Sequence, residues 1–289
     1  MITLPDSPIL FATLSMFFAG LNDVVFKRYS AKERSRGMYV LGIGLVWTIL
    51  QSATFWFKDT PFILDKNTLL FGLSAGVFLT LSNLLLIESL THINVSLGST
   101  IYRLNTIGVI LLSVVFLGET VGTFKVAGIL MGLCGVFLLY QKAPPDRENR
   151  TFILFFSVAI IASIFRATYG VITKGAILQQ ADPEMMLLII SSCWIVGGGL
   201  YAIGRERRFR FTRKKMVYSI LSGLLVYLIV NCLMSAVKIG EASIVIPIAN
   251  MSFVVALALS VGLRMETLTL RKIGAIIYAA LSILLLSLA

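Results

Sequence analysis

Apolar residues run along the chain in long stretches separated by short polar connections. A helix crossing a hydrocarbon layer of ~30 Å needs about 17 to 25 residues. Ten stretches of that size follow one another, at approximately 8–28, 38–57, 68–91, 95–117, 122–140, 152–173, 184–203, 215–238, 242–263 and 268–288. None alternates with period two, and inside a bilayer every backbone N–H and C=O must be satisfied within its own helix or a closed barrel. The pattern therefore predicts an all-α, polytopic membrane protein of ten transmembrane helices, spans 1 to 10. The first stretch reads as a span and not a signal peptide, because it follows Asp6 where a signal would be basic, and it lacks a small-residue cleavage site.

The chain also repeats itself. Sliding it by 147 residues brings Lys27 onto Lys174, Met38 onto Met185, Trp47 onto Trp194, Gly76 onto Gly223 and Ser96 onto Ser243. Ser113-Val114 then meets Ser260-Val261, and Glu119-Thr120 meets Glu266-Thr267. A constant register over that length marks an internal duplication. The glycines suggest a one-residue deletion beyond it, since Gly128 lies nine residues after Glu119 and Gly274 eight after Glu266. The expected organisation is a first five-helix repeat at 1–140, a polar linker at 141–151 broken by Pro144 and Pro145, and a second repeat at 152–289.

Five is odd, so the second copy must enter the membrane from the opposite side, giving an inverted 5+5 repeat. The basic residues agree. The connection after span 1 holds Lys27, Arg28, Lys32, Arg34 and Arg36, and its counterpart after span 6 only Lys174. After span 2 come Lys58 and Lys66, and after span 7 Arg205, Arg207, Arg208, Arg210, Arg213, Lys214 and Lys215. Odd-numbered connections hold eighteen basic residues against five in the even ones, which places both termini on the non-cytoplasmic side under the positive-inside rule. A cell (inner) membrane is the expected location.

Composition sharpens this reading without changing it. Hydrophobic residues are 57% of 289, mean hydropathy is +0.91 and charged residues are 13%, against roughly 25% in a soluble domain. A net charge of +11 would point to nucleic acid in a soluble protein; here most lysines and arginines lie in connections, so no nucleic-acid partner is expected. Cys134, Cys193 and Cys232 stand singly within spans, in no ligand or disulfide spacing.

Phe116-Leu-Gly-Glu-Thr120 followed by Gly128-Ile-Leu-Met-Gly132 resembles a pattern of the drug/metabolite transporter superfamily, in its ten-helix type built of two EamA-like domains. The second copy keeps Glu266-Thr267 and Gly274 but has Arg264-Met265 in place of Leu-Gly. The short turn Ser89-Leu-Thr-His-Ile-Asn-Val-Ser96 and its partner Ala236-Val-Lys-Ile-Gly-Glu-Ala-Ser243 are also similar to the family's, whereas its usual proline of span 4 is absent and only Pro247 in span 9 remains. The resemblance implies a cavity lined by spans 1, 3, 4, 6, 8 and 9 and no cofactor. It also implies cytoplasmic termini, against the charge bias.

Polar groups inside spans cost roughly 2.5–3.5 kcal/mol for Arg or Asp on insertion scales and mark function or pairing. Those singled out are Asn22 and Asp23 in span 1, Glu88 near the end of span 3, Arg103 and Asn105 in span 4, Arg166 and Tyr169 in span 6, Asn231 in span 8 and Asn250, the repeat mate of Arg103, in span 9. At about 1.5 Å per residue, Asp23 lies ~8 Å and Arg103 ~12 Å from the same face, while Arg166 is ~11 Å in depth from Asp23. A pair between Asp23 and Arg103 is therefore easier than one between Asp23 and Arg166. That pair reads either as simple neutralisation or as part of a site. Arg166 lacks an acid at its depth and needs carbonyls, water or an anionic substrate. Trp47 and Trp194, mid-span, read as symmetric packing or as cavity aromatics.

Other motifs carry no chemistry. Gly72-Leu-Ser-Ala-Gly76 matches G-x-S-x-G, but the sole histidine, His92, falls in a turn 16 residues past Gly76, too far along the chain to serve as its base; a packing face is the better reading, as for Gly128 to Gly132. Asn94-Val-Ser96 and Asn250-Met-Ser252 match glycosylation sequons, one at a tight turn and one inside a span. There is no P-loop.

The expected function is secondary-active transport of a small polar metabolite, an organic anion or amino acid, by alternating access between the repeats. Arg103 and Arg166 are the candidate anion contacts, with Asn22, Trp47, Asn105, Tyr169, Trp194, Asn231 and Asn250 around them. Asp23, with Glu88, is the candidate for proton coupling or counter-ion. Export of a cationic metabolite or drug and a non-transporting structural subunit are the alternatives. No enzyme and no metal site are expected; the sequence leaves oligomeric state open.

Overall fold

The computed structural model describes residues 7–30, 35–58, 62, 64–89, 102–138, 149–207, 212–264 and 267–289. His92, Asn94, Ser96 and the start of span 4, most of the polar linker, Arg208, Arg210 and Met265-Glu266 lie outside them. The first copy supplies α1 (Pro8–Ser30), α2 (Arg36–Lys58), α3 (Lys66–Ser89), α4 (Asn105–Leu117) and α5 (Thr123–Leu138). The second supplies α6 (Asn149–Leu178), α7 (Pro183–Tyr201) continued by a π-helical turn Ala202–Glu206, and α8 (Arg213–Ile239). Span 9 is divided into α9 (Ala242–Ala249) and α10 (Phe253–Gly262) by a 3₁₀ turn Asn250–Ser252, and α11 (Leu270–Ser287) is span 10.

Local signals set several of these boundaries. Asp182 accepts the Met185 N–H at 2.6 Å ahead of Pro183, and Thr212 and Thr269 cap α8 and α11 through the N–H groups of Lys215 and Lys272, each at 3.4 Å. Gly118 ends α4 at φ 67°, the left-handed conformation glycine adopts freely. Before α3, a hydrogen bond from Thr68 holds the Asp65 carboxyl below the usual carboxylate value.

Eight of the helical spans are long and apolar enough to cross a membrane, and α4 and α5, as described, are shorter apolar helices. Large apolar side chains such as Val115, Leu200 and Leu284 stand exposed on their outer faces, as contact with lipid requires and contact with water disfavours. The chain is a multi-pass integral membrane protein.

The 147-residue register governs the packing. Helices begin in mated pairs at 36 and 183, 66 and 213, and 123 and 270. α1 packs on α8 as α3 packs on α6, and α2 packs on α8 as α3 packs on α7, while α2 with α7 and α5 with α11 form pairs that map onto themselves. Side chains follow the same rule. A Cβ on Gly76 would lie 2.6 Å from Cys193 Sγ, and one on Gly223 would lie 2.5 Å from Val46 Cβ, the same contact moved by 147 residues. Trp47 and Trp194 meet edge to face at 5.8 Å on the pseudo-twofold axis, both buried.

Two expectations are corrected. Span 4 is not one uninterrupted helix, because Leu104 stands in a turn before α4. The deletion after Glu266 is also absent: Gly132 faces Ser282 as Gly135 faces Ala279, and Lys125 Nζ reaches the Thr120 carbonyl as Lys272 Nζ reaches that of Thr267, all at an offset of 147. Gly128 therefore corresponds to Ala275, not Gly274. The α5–α11 crossing needs small residues of any kind, so glycine alone misaligned the copies.

Candidate functional site

Spans 4 and 9 break at the same place. Leu104 has φ −66° and ψ −5°, and Met251, its mate, has φ −79° and ψ 17°, outside helical values. Such a break leaves backbone groups that need new partners in a membrane, and polar side chains supply them. Arg103 Nη1 donates to the Asn250 carbonyl at 2.8 Å and to Ser252 Oγ at 3.1 Å, and Nη2 donates to Asp23 Oδ2 at 3.1 Å. Ser252 Oγ donates to the same Asp23 oxygen at 3.0 Å. Asn105 Nδ2 caps the Tyr102 carbonyl at 2.8 Å, and Asn250 Nδ2 donates to Asn105 Oδ1 at 2.6 Å. The bond from Arg103 to Ser252 and that from Asn250 to Asn105 are repeat mates, so this network lies on the pseudo-twofold axis.

The Phe253 ring lies 5.3 Å from the guanidinium carbon. The Arg103 side chain is 20% exposed and that of Asp23 42%, so the acid faces more open space than the base. A narrow cleft of about 20 Å³, room for little more than a water molecule, adjoins Arg103, lined by Thr106, Pro247, Asn250 and Met251 and by Ile129 and Gly132 of α5.

The sequence profile of the EamA-like transporter family matches twice, over residues 6–141 and 153–288. The chain belongs to the EamA-like transporter family. Among curated proteins none matches the sequence. One solved structure, described only as the crystal structure of a protein, superposes with TM-score 0.81 over 96% of each chain at 15% identity, a likeness of fold. The polar break on the axis is thus part of a membrane transporter.

In the EamA-like transporter Asp23, Arg103, Asn105 and Asn250 share one hydrogen-bond network, and among the described residues the other expected site residues take no part in it. Arg166 lies over the Tyr169 ring, 5.4 Å from its centroid, and among the described residues no acidic group forms an ion pair with it. Tyr169 is buried and lines a second, smaller crevice of about 10 Å³ with Gly170, Thr173 and Met234. Asn231 donates to Gln51 Oε1 at 3.1 Å and to the Tyr227 carbonyl at 2.8 Å, away from the Arg103 network. Glu88 accepts from Tyr201 at 2.5 Å and from Arg205 at 2.8 Å at the end of α3. Asn22 Oδ1 is buried without a partner among the described residues. Ser252 and Phe253 were missed; applying the 147-residue register to Asn105 points directly at Ser252.

Proposed function

We propose that this transporter moves a small polar metabolite bearing an anionic group, an organic anion or amino acid, by secondary-active alternating access between its inverted repeats. The observation that supports it is Arg166. Arg103 already has Asp23, whereas the Arg166 guanidinium, which cannot readily deprotonate, is held over Tyr169 without an ion-pair partner among the described residues. A carboxylate or phosphate would supply the missing charge and match the planar fork. Asp23, bonded to Arg103 and 42% exposed, is the group proposed to couple protons. This reading gives the chain no catalytic chemistry, and the charge bias supports termini on the non-cytoplasmic side of a cell membrane.

The test is thermal stabilisation of purified protein by amino acids, phosphorylated metabolites, nucleotide sugars and quaternary amines. An anionic ligand should raise the midpoint of the parent and lose at least tenfold in affinity in Arg166→Gln, as expected for one charge-assisted contact of about 1.5–3 kcal/mol. A response confined to quaternary amines, abolished by Asp23→Asn, would instead make Asp23 the counter-ion of a cationic substrate.

A further inference from the structure

The α4–α5 and α8–α9 connections come from different repeats and meet at one end of the bundle. Glu119, in the first, lays its carboxylate on the start of α9. Its Oε1 accepts the Ala242 N–H at 2.7 Å, and its Oε2 accepts the Ser243 N–H at 2.9 Å and the Ser243 hydroxyl. Glu241, at the N-cap position of α9, caps nothing with its side chain. Its carboxylate crosses instead to Lys125 of the first repeat, whose Nζ also donates to the Thr120 carbonyl at 2.6 Å. Each connection thus lends a carboxylate to the other, one to cap a helix and one to pair with a lysine. Beside them Lys174 donates to the Val237 and Gly240 carbonyls at 2.9 and 2.7 Å, fixing the end of α8.

The chemistry favours this arrangement only while the two repeats touch. The first N–H groups of a helix have no partner of their own, and the positive end of the helix dipole favours a carboxylate. Lys125 is 3% exposed, so water does not replace Glu241 for it in this conformation. α9 has eight residues and joins α10 through the 3₁₀ turn at Asn250–Ser252, so it can move on that break as a short rigid piece. Val245 and Ile248, at 0% exposure, are the apolar wall it presses into the core.

We propose that Glu119, with the Glu241–Lys125 pair, is a latch between the repeats that closes this end of the transport path, and that opening here requires Glu119 to release Ala242 and Ser243. The latch rests on the alternating-access reading but not on the identity of the substrate.

It is tested in full-length protein with Cys134, Cys193 and Cys232 replaced by alanine and Val245→Cys as reporter. Purified protein in nanodiscs is labelled with a charged, water-soluble maleimide. Glu119→Gln, which keeps the side-chain length, should raise the labelling rate of that thiol about tenfold, the population shift expected from losing a charge-assisted cap. Lys125→Met should raise it as well. A second reporter, Val40→Cys, is in α2 at a position 2% exposed and should keep its rate. Unchanged Val245→Cys labelling in both variants overturns the latch, and so does an equal rise at both reporters, which would mark general loosening. Faster labelling at Val245→Cys alone, in a protein no anionic ligand stabilises, supports the latch and refutes the substrate assignment.

Discussion

Breaking the axial network at Arg103 should cost more than neutralising its acid, and the two costs should not add. Arg103→Gln removes the 3.1 Å bond to Asp23 and leaves a shorter side chain for the Asn250 carbonyl and Ser252 Oγ, at 2.8 and 3.1 Å from Nη1. Hydrogen bonds to charged groups contribute about 1.5–3 kcal/mol each. Because the Asp23 side chain is 42% exposed, solvent screens the Coulomb part, so a net loss of about 2–3 kcal/mol is expected. Asp23→Asn keeps an oxygen for Arg103 and Ser252 and loses only the screened attraction, about 1 kcal/mol. The double variant should fall about 1 kcal/mol short of the sum, because the second change has no partner left to remove. The assay is thermal unfolding in one detergent for all four proteins, where 1 kcal/mol corresponds to roughly 2–4 °C. Midpoint shifts that simply add would show that the pair is not an energetic unit.

Gly198→Ala should destabilise by about 1–3 kcal/mol through overpacking, because its Cβ would lie 2.5 Å from the Leu41 backbone nitrogen. Gly199→Ala, whose Cβ meets only Leu41 Cδ1 at 3.4 Å, should be neutral or stabilising by up to about 1 kcal/mol of helix propensity; equal midpoints for the two alanine variants would contradict the α2–α7 crossing. For orientation, a cysteine introduced beside Arg208 should be protected from an impermeant thiol reagent in intact cells and react after lysis, and reaction before lysis would place the termini in the cytoplasm.

Much of the scaffold was legible because its causes are periodic. Length and hydropathy identified the spans, and the register carried by Trp47 and Trp194 located the axis on which those indoles meet. Depth alone favoured Asp23 for Arg103, and the two are bonded. The broken spans were not legible: an apolar run reads the same whether or not it stays helical at Leu104, and the released carbonyls are taken up by polar side chains, that of Tyr102 by Asn105 in the same span and that of Asn250 by Arg103 from the other repeat. The false deletion had a similar origin, since Gly274 resembles Gly128 in type while Ala275 and Ala279 do its packing. Glu119 was visible as a motif, but its reach to α9 across the repeat boundary is a tertiary contact that no local spacing encodes.

The repeat keeps its backbone symmetry and several charges, but three charged groups within its spans have uncharged mates. Asp23 corresponds to Gly170, Arg103 to Asn250 and Arg166 to Ala19, so each of the three occurs in one copy only. Under alternating access, exchanging the conformations of the two copies would give a group far from the axis different surroundings in each state, while a group on the axis keeps the same neighbours. Arg103 makes bonds across that axis, through the Asn250 carbonyl and the mated pair of Ser252 and Asn105. Its network can then hold the two breaks together in both states. Arg166, with alanine as its mate, gains or loses neighbours at each exchange. A guanidinium whose surroundings differ between the two states would hold an anionic ligand with different strength in each, and that difference is what lets a ligand shift the equilibrium. On the proposed alternating-access reading, the asymmetry of charge supports positioning for Arg103 and substrate response for Arg166.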